Sequence, residues 1–523
     1  MGNVVKTSIK AAAICFAALL ILSCGGGGGG GGNVRINAAG DATISNITQD
    51  ADTTYGFRGN ELVVNQTSGT VSVNSARRSG ITQITLPASG SVALDLSQTT
   101  NVAIANNGVT NTASLSAVAF PQSSFTLGNS ALKDSTNLST IVNLSNCTSV
   151  GSETFSGCTS VASLDLSGCA SVGNSAFSGC TGLTGVNLAN CTSVGQSAFD
   201  GCTGLTGINL PECETLGQNA FNGCTNLQSI SLPDCTSVGS NAFAGCKDSL
   251  KSLNLASRTS ISNDEFKEYT ALETVDISSC TSIGNNAFNG CTGIKTINLN
   301  SCTTIGENAF TSCTNLTNIN IASCTTIKKK AFTNCDNLVS VNLSSCTSLA
   351  DEIFDNCDKL KTVTLGSSIT SIKARTLRDC KELETINLSN CTTIATKAFQ
   401  RCTKLKDVNL SNCTQIDASA FDQCHTLQNV NLLKCKTIGN DAFYNATNIE
   451  SVTFGADLQS IGSRAFAWPK ENAVFSFITN PITHSDGSFT SSGTLYAKKV
   501  DSIGTVLQTY IWNDTSKSWV LQP

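Results

Sequence analysis

Apolar residues in this chain recur with a period of 22 or 23 residues, far longer than a helical turn or a strand alternation. One copy reads Leu183-x-x-Val186-x-Leu188-x-x-Cys191-x-x-Val194, followed by Gly195, Ala198, Phe199 and Cys202. A phenylalanine marks each copy. It stands at Phe155, Phe177, Phe199, Phe221, Phe243, Phe266, Phe288, Phe310, Phe332, Phe354, Phe399, Phe421, Phe443 and Phe466, with Leu377 filling the gap. The alternation Val186-x-Leu188 predicts a short strand with two inward side chains. The Gly-x-x-Ala-Phe segment is too short for a long helix and predicts one turn of α or 3₁₀. A single coil cannot bury its own apolar positions, so successive coils must stack.

The flanks follow a different pattern. Residues 33–113 are rich in Thr, Ser, Asn and Val, with alternating runs such as Val71-Ser-Val73 and Val92-Ala-Leu94-Asp-Leu96. They predict short strands between polar turns, as a small β domain or an irregular start to the solenoid. Beyond Phe466 the period dissolves, and residues 467–523 carry all the tryptophans, Trp468, Trp512 and Trp519. A solenoid needs a cap over its open end, and large aromatics are suitable lids; the other reading is an aromatic binding patch.

The motif Leu-x-x-Leu-x-Leu-x-x-Cys-x-x-Val resembles the leucine-rich repeat. The following Ile/Val-Gly-x-x-Ala-Phe-x-x-Cys is similar to the BspA-like, or Treponema-type, class, over roughly Leu115 to Phe466. The resemblance implies an α/β solenoid over 114–466: about fifteen coils, a parallel concave β-sheet, and short α or 3₁₀ turns opposite. It also implies binding of extracellular matrix, host-cell proteins or other bacteria.

At the N-terminus, Lys6 and Lys10 precede an apolar run from Ala11 to Leu22, and Ile21-Leu22-Ser23-Cys24 resembles a lipobox. The expectation is a signal peptide over 1–23, lipidation of Cys24, and a tether formed by the glycines 25–32. Eight glycines form a flexible coil of mean reach roughly 15 Å. The lipid would place the protein at a bacterial envelope membrane, at the outer membrane and exposed on the surface.

Composition narrows the chemistry. Only 13% of residues are charged, the net charge is −5 and there are two histidines, which excludes a strongly basic nucleic-acid binder and leaves little for His-based catalysis or metal binding. No HExxH, GxSxG or P-loop is present, and the acidic group Asp351, Glu352, Asp355 and Asp358 lacks the spacing of a calcium loop. No catalytic residue, metal site or cofactor is expected. The 26 cysteines fall largely every 11 residues, forming one column after the strand (Cys147, Cys169, Cys191) and one after the Phe turn (Cys158, Cys180, Cys202). Buried free thiols are the favoured reading, because Arg258, Tyr269, Ile369, Ala446 and Leu458 replace cysteines singly. Disulfides between coils and metal sites remain the alternatives.

The outward position between the two inward strand residues is mostly asparagine: Asn187, Asn209, Asn254, Asp276, Asn298, Asn320, Asn342, Asn387, Asn409 and Asn431. This column reads either as an amide ladder that stabilises stacking or as a ligand-binding face of many weak polar contacts. Fifteen coils at ~4.8 Å make a strip of about 70 Å, long enough for avidity along one partner. Basic residues collect further on, including Arg401, Lys404 and Lys406, interleaved with acids in the manner of a solvated face. The functional expectation is a surface adhesin whose partner is a host or bacterial surface protein or glycan. The alternative is a non-adhesive structural lipoprotein of the periplasm or envelope.

Overall fold

A coil of this chain closes because each apolar position turns inward while the polar residues between them turn out. In the computed structural model the described residues are 33–36, 42–45, 55–73, 80–478, 488–489, 496–500, 506–513 and 518–522. The expected signal segment, Cys24 and the glycine tether lie outside them. The chain divides into two compact units, Met1–Cys224 with Ala242–Ala244, and Thr225–Asn241 with Gly245–Pro523.

In the first unit each repeat contributes a leading strand, a short second strand and a turn. The leading strands Ser163–Asp165 and Gly185–Asn187 pair in parallel, Leu164 opposite Val186. The second strands stack as a separate parallel ladder, Val150 beside Val172, then Val194, then Leu216. On the turn side Phe155, Phe177, Phe199 and Phe221 stack with centroids 5.0–5.4 Å apart and planes within 12°. Leu183, Val186, Leu188, Val194, Ala198 and Phe199 fill the interior of one coil.

The second unit repeats this plan. Its leading strands run in one parallel ladder from Ser229–Ser231 to Asp407–Val408, and Phe266 to Phe354 stack at 5.3–5.5 Å. Asn429–Leu432, Ser451–Phe454, Val474–Phe477 and Tyr496–Val500 are also parallel. The last two strands, Val506–Asn513 and Ser518–Leu521, reverse to antiparallel and end the sheet. There Trp512 and Trp519 meet at 5.2 Å and lie 5.4 and 5.2 Å from Phe489, an aromatic lid.

Two expectations need correction. The turns are not helical: among the described residues the only helical segments are the 3₁₀ turns Thr112–Ser114, Leu144–Asn146 and Ala244–Cys246. The reason is handedness. Every Phe turn but that of Phe243 carries two left-handed residues four positions apart, such as Ser175 (φ 53°) and Gly179 (φ 73°), and left-handed residues cannot propagate a right-handed helix; at Phe243 only Asn241 is left-handed, and there the 3₁₀ turn Ala244–Cys246 forms. Ser175, Phe177 and Gly179 instead donate their N–H groups to the next coil, to Gln196, Ala198 and Asp200 carbonyls at 2.7–2.8 Å. The coil count is also higher than expected, about 19 turns in place of fifteen. The solenoid begins within 33–113, where Ser68–Ser72, Ser91–Asp95 and Leu115–Ala119 already pair in parallel. It continues past Phe466, on which Phe489 stacks at 5.6 Å.

The 24 described cysteines are free and buried. Their S–H groups have assigned work. In the first column most donate to the carbonyl two residues on, as Cys191 does to Ser193 at 3.2 Å, while Cys324, Cys346 and Cys391 donate to the preceding coil. In the second most donate to the Phe carbonyl of an earlier coil, as Cys202 does to Phe177 at 3.0 Å, and Cys158 and Cys402 to the leucine that stands in its place. One replacement in the first column is instructive. Arg258, only 5% exposed, donates to the same carbonyl two residues on, Ser260, at 2.8 Å. Its charge is met by Glu265, at 3.0 Å, which occupies the position that alanine holds in neighbouring coils. Removing Glu265 alone strands a buried guanidinium. Glu265→Ala should lower stability by about 3 kcal/mol in denaturant unfolding. The double change Arg258→Cys with Glu265→Ala restores the common pattern and should recover most of that loss.

Burial pushes the Cys191 thiol up to about 11 and Cys246 up to about 12. Below the ordinary thiol value of 9.0 both folded and unfolded chains keep the proton, so stability is insensitive to pH. Between 9.0 and about 11 the unfolded chain ionises while the buried thiol cannot, which favours unfolding. The melting midpoint should therefore fall as the pH rises above 9.0, with no contribution from the thiols below it. In the native protein thiol reagents should react slowly, and after denaturation without reductant most thiols should titrate.

Candidate functional site

The leading-strand face is the most regular exposed surface in each unit. Its outward residues stand on, or for Asn387 and Asn409 directly after, strands of two to four residues whose inward neighbours are buried, such as Ile297 between Thr296 and Asn298. In the second unit Asp276, Asn298, Asn320, Asn342, Asn387, Asn409 and Asn431 are exposed and Asn254 is half-buried; in the first, Asn187 and Asn209 are exposed. All the asparagines expected to form the column do lie on this face.

They do not form the amide ladder between coils that was one reading of the sequence. Asn298 Oδ1 accepts from Asn300 N at 3.1 Å, Asn320 Oδ1 from Ala322 N at 3.3 Å, and Asn342 Oδ1 from Ser344 N at 3.0 Å. Asn254, Asn387, Asn409 and Asn431 make the same bond two residues on, at 3.1–3.2 Å. These are Asx turns that lead the chain out of the strand. One link between coils exists in the first unit, Asn187 Nδ2 to Asp165 Oδ1 at 2.9 Å.

The Asx turn also fixes the amide orientation. A backbone N–H needs an acceptor, so the oxygen is the inner atom and the NH₂ faces outward. The result is a column of amide donors about 4.8 Å apart over successive coils at Asn298, Asn320 and Asn342 and again at Asn387, Asn409 and Asn431, interrupted by Thr364. Beside it runs a column of exposed hydroxyls, including Thr274, Thr296, Ser340, Thr362 and Thr385. Between Asn298 and Asn320 the surface dips into a shallow hollow of about 400 Å³, floored by Ile297 and Ile319. A partner here must offer hydrogen-bond acceptors in a repeating array.

A second hollow, about 610 Å³, lies on the second-strand ladder of the first unit along Asn106, Asn129, Gly151 and Gly173. The sequence reading missed it. Its only signal is the recurrent glycine, where the preceding coil leaves no room: a Cβ on Gly173 would sit 2.5 Å from Gly151 C.

The charged residues are largely self-neutralising. Arg401 pairs with Asp379 at 2.9 Å and Lys404 with Glu382 at 2.7 Å, so the basic edge is mostly spent within the chain. The acidic group is engaged likewise: Asp355 with Arg378 at 2.7 Å, Asp358 with Lys381 at 2.8 Å, and Glu352 among Lys329, Lys330 and Arg375. Burial raises the Asp355 carboxyl, and the Arg378 guanidinium opposes that shift. Among the described residues no group of three or more His, Cys, Asp or Glu is placed to hold a metal.

This geometry, two short parallel strands and a Phe-bearing turn per coil, defines a leucine-rich repeat solenoid. The model of the family described as "BspA type Leucine rich repeat region (6 copies)" matches residues 102–228, 192–317, 259–384, 325–435 and 392–517. The chain belongs to the BspA-type leucine-rich repeat family. Among solved structures it is similar to a leucine-rich repeat protein from Bacteroides ovatus, with 23% identity, 72% of this chain and 92% of that chain covered, and a TM-score of 0.41. It is also similar to a leucine rich cell surface protein from Faecalibacterium prausnitzii, with 19% identity, coverage of 82% and 94%, and a TM-score of 0.25. No curated protein matches the chain.

The two atoms of the asparagine amide can be tested separately. Asn298→Asp keeps the oxygen that closes the Asx turn and should leave the melting midpoint nearly unchanged. Asn298→Ala removes it and should cost about 1 kcal/mol, one intramolecular hydrogen bond, in denaturant unfolding.

Proposed function

We propose that this chain is a lipid-anchored adhesin of the bacterial envelope that binds a surface protein through the leading-strand face of its solenoid. The observation that carries the reading is the column of outward amide donors, each held in place by its own Asx turn. Donors fixed on a rigid backbone lose little freedom on binding, so weak contacts add along the array. Family membership supports a binding role over a catalytic one, since leucine-rich repeat proteins generally bind other proteins. Export and lipidation of Cys24 would put the array where such a partner is met.

The triple substitution of Asn298, Asn320 and Asn342 by Asp tests the face. It removes three outward donors while keeping three Asx turns, so the protein should fold as before. At about 1 kcal/mol per lost hydrogen bond, affinity for a captured surface partner should fall on the order of a hundredfold. A folded triple variant that binds as the parent does would sink the leading-strand mechanism. Protease shaving of intact cells, with mass spectrometry of the mature N-terminus, tests the location. The expected result is cleavage at the surface and a diacylglyceryl-modified Cys24; a protected protein cannot be an adhesin.

A further inference from the structure

We infer that Trp468 is a saccharide-stacking platform, its half-exposed indole receiving the apolar face of a neutral hexopyranose unit while Arg464, four residues back in the same turn, and its partner Asp441 meet the hydroxyls. The starting observation is conformational. Every Phe turn but that of Phe243 has a left-handed residue two positions after the phenylalanine, and elsewhere this is glycine (Gly157, Gly179, Gly201) or a polar residue (Ser312, Asn334, Asn445). At Trp468 a bulky aromatic takes φ 65°. A large side chain is an outlier in that region, and Pro469 follows, which ordinarily holds the preceding residue extended. The ladder between coils imposes the left-handed conformation at this place in the turn, so what sets this turn apart is its side chain, an indole where other coils carry glycine or a polar residue.

Packing does not supply the reason. Trp512 and Trp519 close the end of the solenoid against Phe489, whereas Trp468 is 48% exposed and, among the described residues, makes no ring–ring contact. An indole held half in water, at a place where other coils carry glycine or a polar residue, is placed to be covered by a ligand.

The polar surroundings select the ligand. Arg464 holds the other left-handed position of the same turn (φ 54°). Asp441 grips it in a fork, Nε to Oδ1 at 2.8 Å and Nη2 to Oδ2 at 3.0 Å. The guanidinium also lies 5.1 Å from the centroid of the Tyr444 ring. The guanidinium is thereby oriented and neutralised, so the site offers fixed donors and acceptors without attracting net charge. An apolar ring beside a neutral donor–acceptor pair matches a pyranose with equatorial hydroxyls, whose flat faces carry only C–H groups and whose rim carries the hydroxyls. One indole presents the area of one sugar ring, and the site lies on the turn side, separate from the leading-strand face.

The test is titration of the full chain with cellotetraose and with chitotetraose, followed by the indole N–H resonances, with a proline-rich decapeptide as comparison. The expected result is a shift of one indole resonance, the one missing from Trp468→Gly, at millimolar sugar. Trp468→Gly should bind at least tenfold more weakly. Because glycine is at ease at positive φ, its melting midpoint should equal or exceed the parent's. Trp468→Phe should keep part of the affinity, and Arg464→Ala should weaken it several-fold. The inference is overturned if neither sugar moves that resonance, if Trp468→Gly binds like the parent, or if the decapeptide alone shifts it. A fall of several degrees in the melting midpoint of Trp468→Gly would also overturn it, by making the indole a structural lid.

Discussion

The structure depends on the backbone hydrogen bonds that join each coil to the next on the turn side as well as on the strand sides. On the strand sides they are ordinary parallel ladders. On the turn side the N–H groups of alternate residues, such as Ser175, Phe177 and Gly179, all point to the following coil. Only an alternation of right- and left-handed residues aims them that way, and that alternation forbids a helix. The spacing of coils then follows from the strands, about 4.8 Å. The phenylalanine stack, with rings 4.9–5.5 Å apart in most of the second unit, takes its separation from the backbone. So does the need for glycine where the neighbouring coil passes within 2.5 Å of a would-be Cβ.

Cysteine suits this frame because its sites are apolar, tight and in need of one hydrogen. A buried carbonyl beside each column gains from a second donor, and a thiol supplies it with little cost of desolvation. A serine would bury a more polar group, and an alanine would leave the carbonyl with one partner fewer. The coil around Arg258 shows the same need met by other means. There a guanidinium bonds the Ser260 carbonyl that a thiol would have served, and Glu265 supplies the charge that makes its burial tolerable. The raised thiol pKa values are a consequence of this burial, and they keep the sulfurs in their unreactive form.

How much of this was legible in the sequence varied with how strictly the period was kept. From Phe155 to Phe466 the spacing of Leu, Cys and Phe identifies the inward residues almost one by one, because each occupies a fixed place in a coil of nearly constant length. Between residues 58 and 113 the coils lack Cys and Phe, and their register steps vary. Val71 faces Leu94, 23 residues on, and Ile84 faces Val109, 25 on, so no fixed period emerges. The turn conformation was not readable from propensity, since left-handed φ occurs at Lys330, Glu352 and Arg375 as readily as at Ser175. There the ladder between coils overrides what each residue would choose alone. The asparagine column was placed correctly, but its bonding partner was not, because an Asx turn and an amide ladder both call for Asn at the same position.

That ambiguity also explains how one side chain can serve folding and recognition without conflict. The oxygen is the constant atom. Where the column carries Asp165 or Asp276, the carboxylate still accepts from Ser167 N or Ser278 N, at 3.1 Å in each case. The outer atom is the variable one: an NH₂ at Asn298, an oxygen at Asp276. A coil can therefore exchange donor for acceptor on its surface while the turn that ends its strand is preserved. In the first unit the turn-closing atom does both tasks, because Asp165 Oδ1 accepts from Ser167 N and also from Asn187 Nδ2 of the next coil. Elsewhere the donors face solvent. A repeat built this way can vary its surface pattern coil by coil at little cost in stability, because the atom that holds the turn is not the atom that meets a partner.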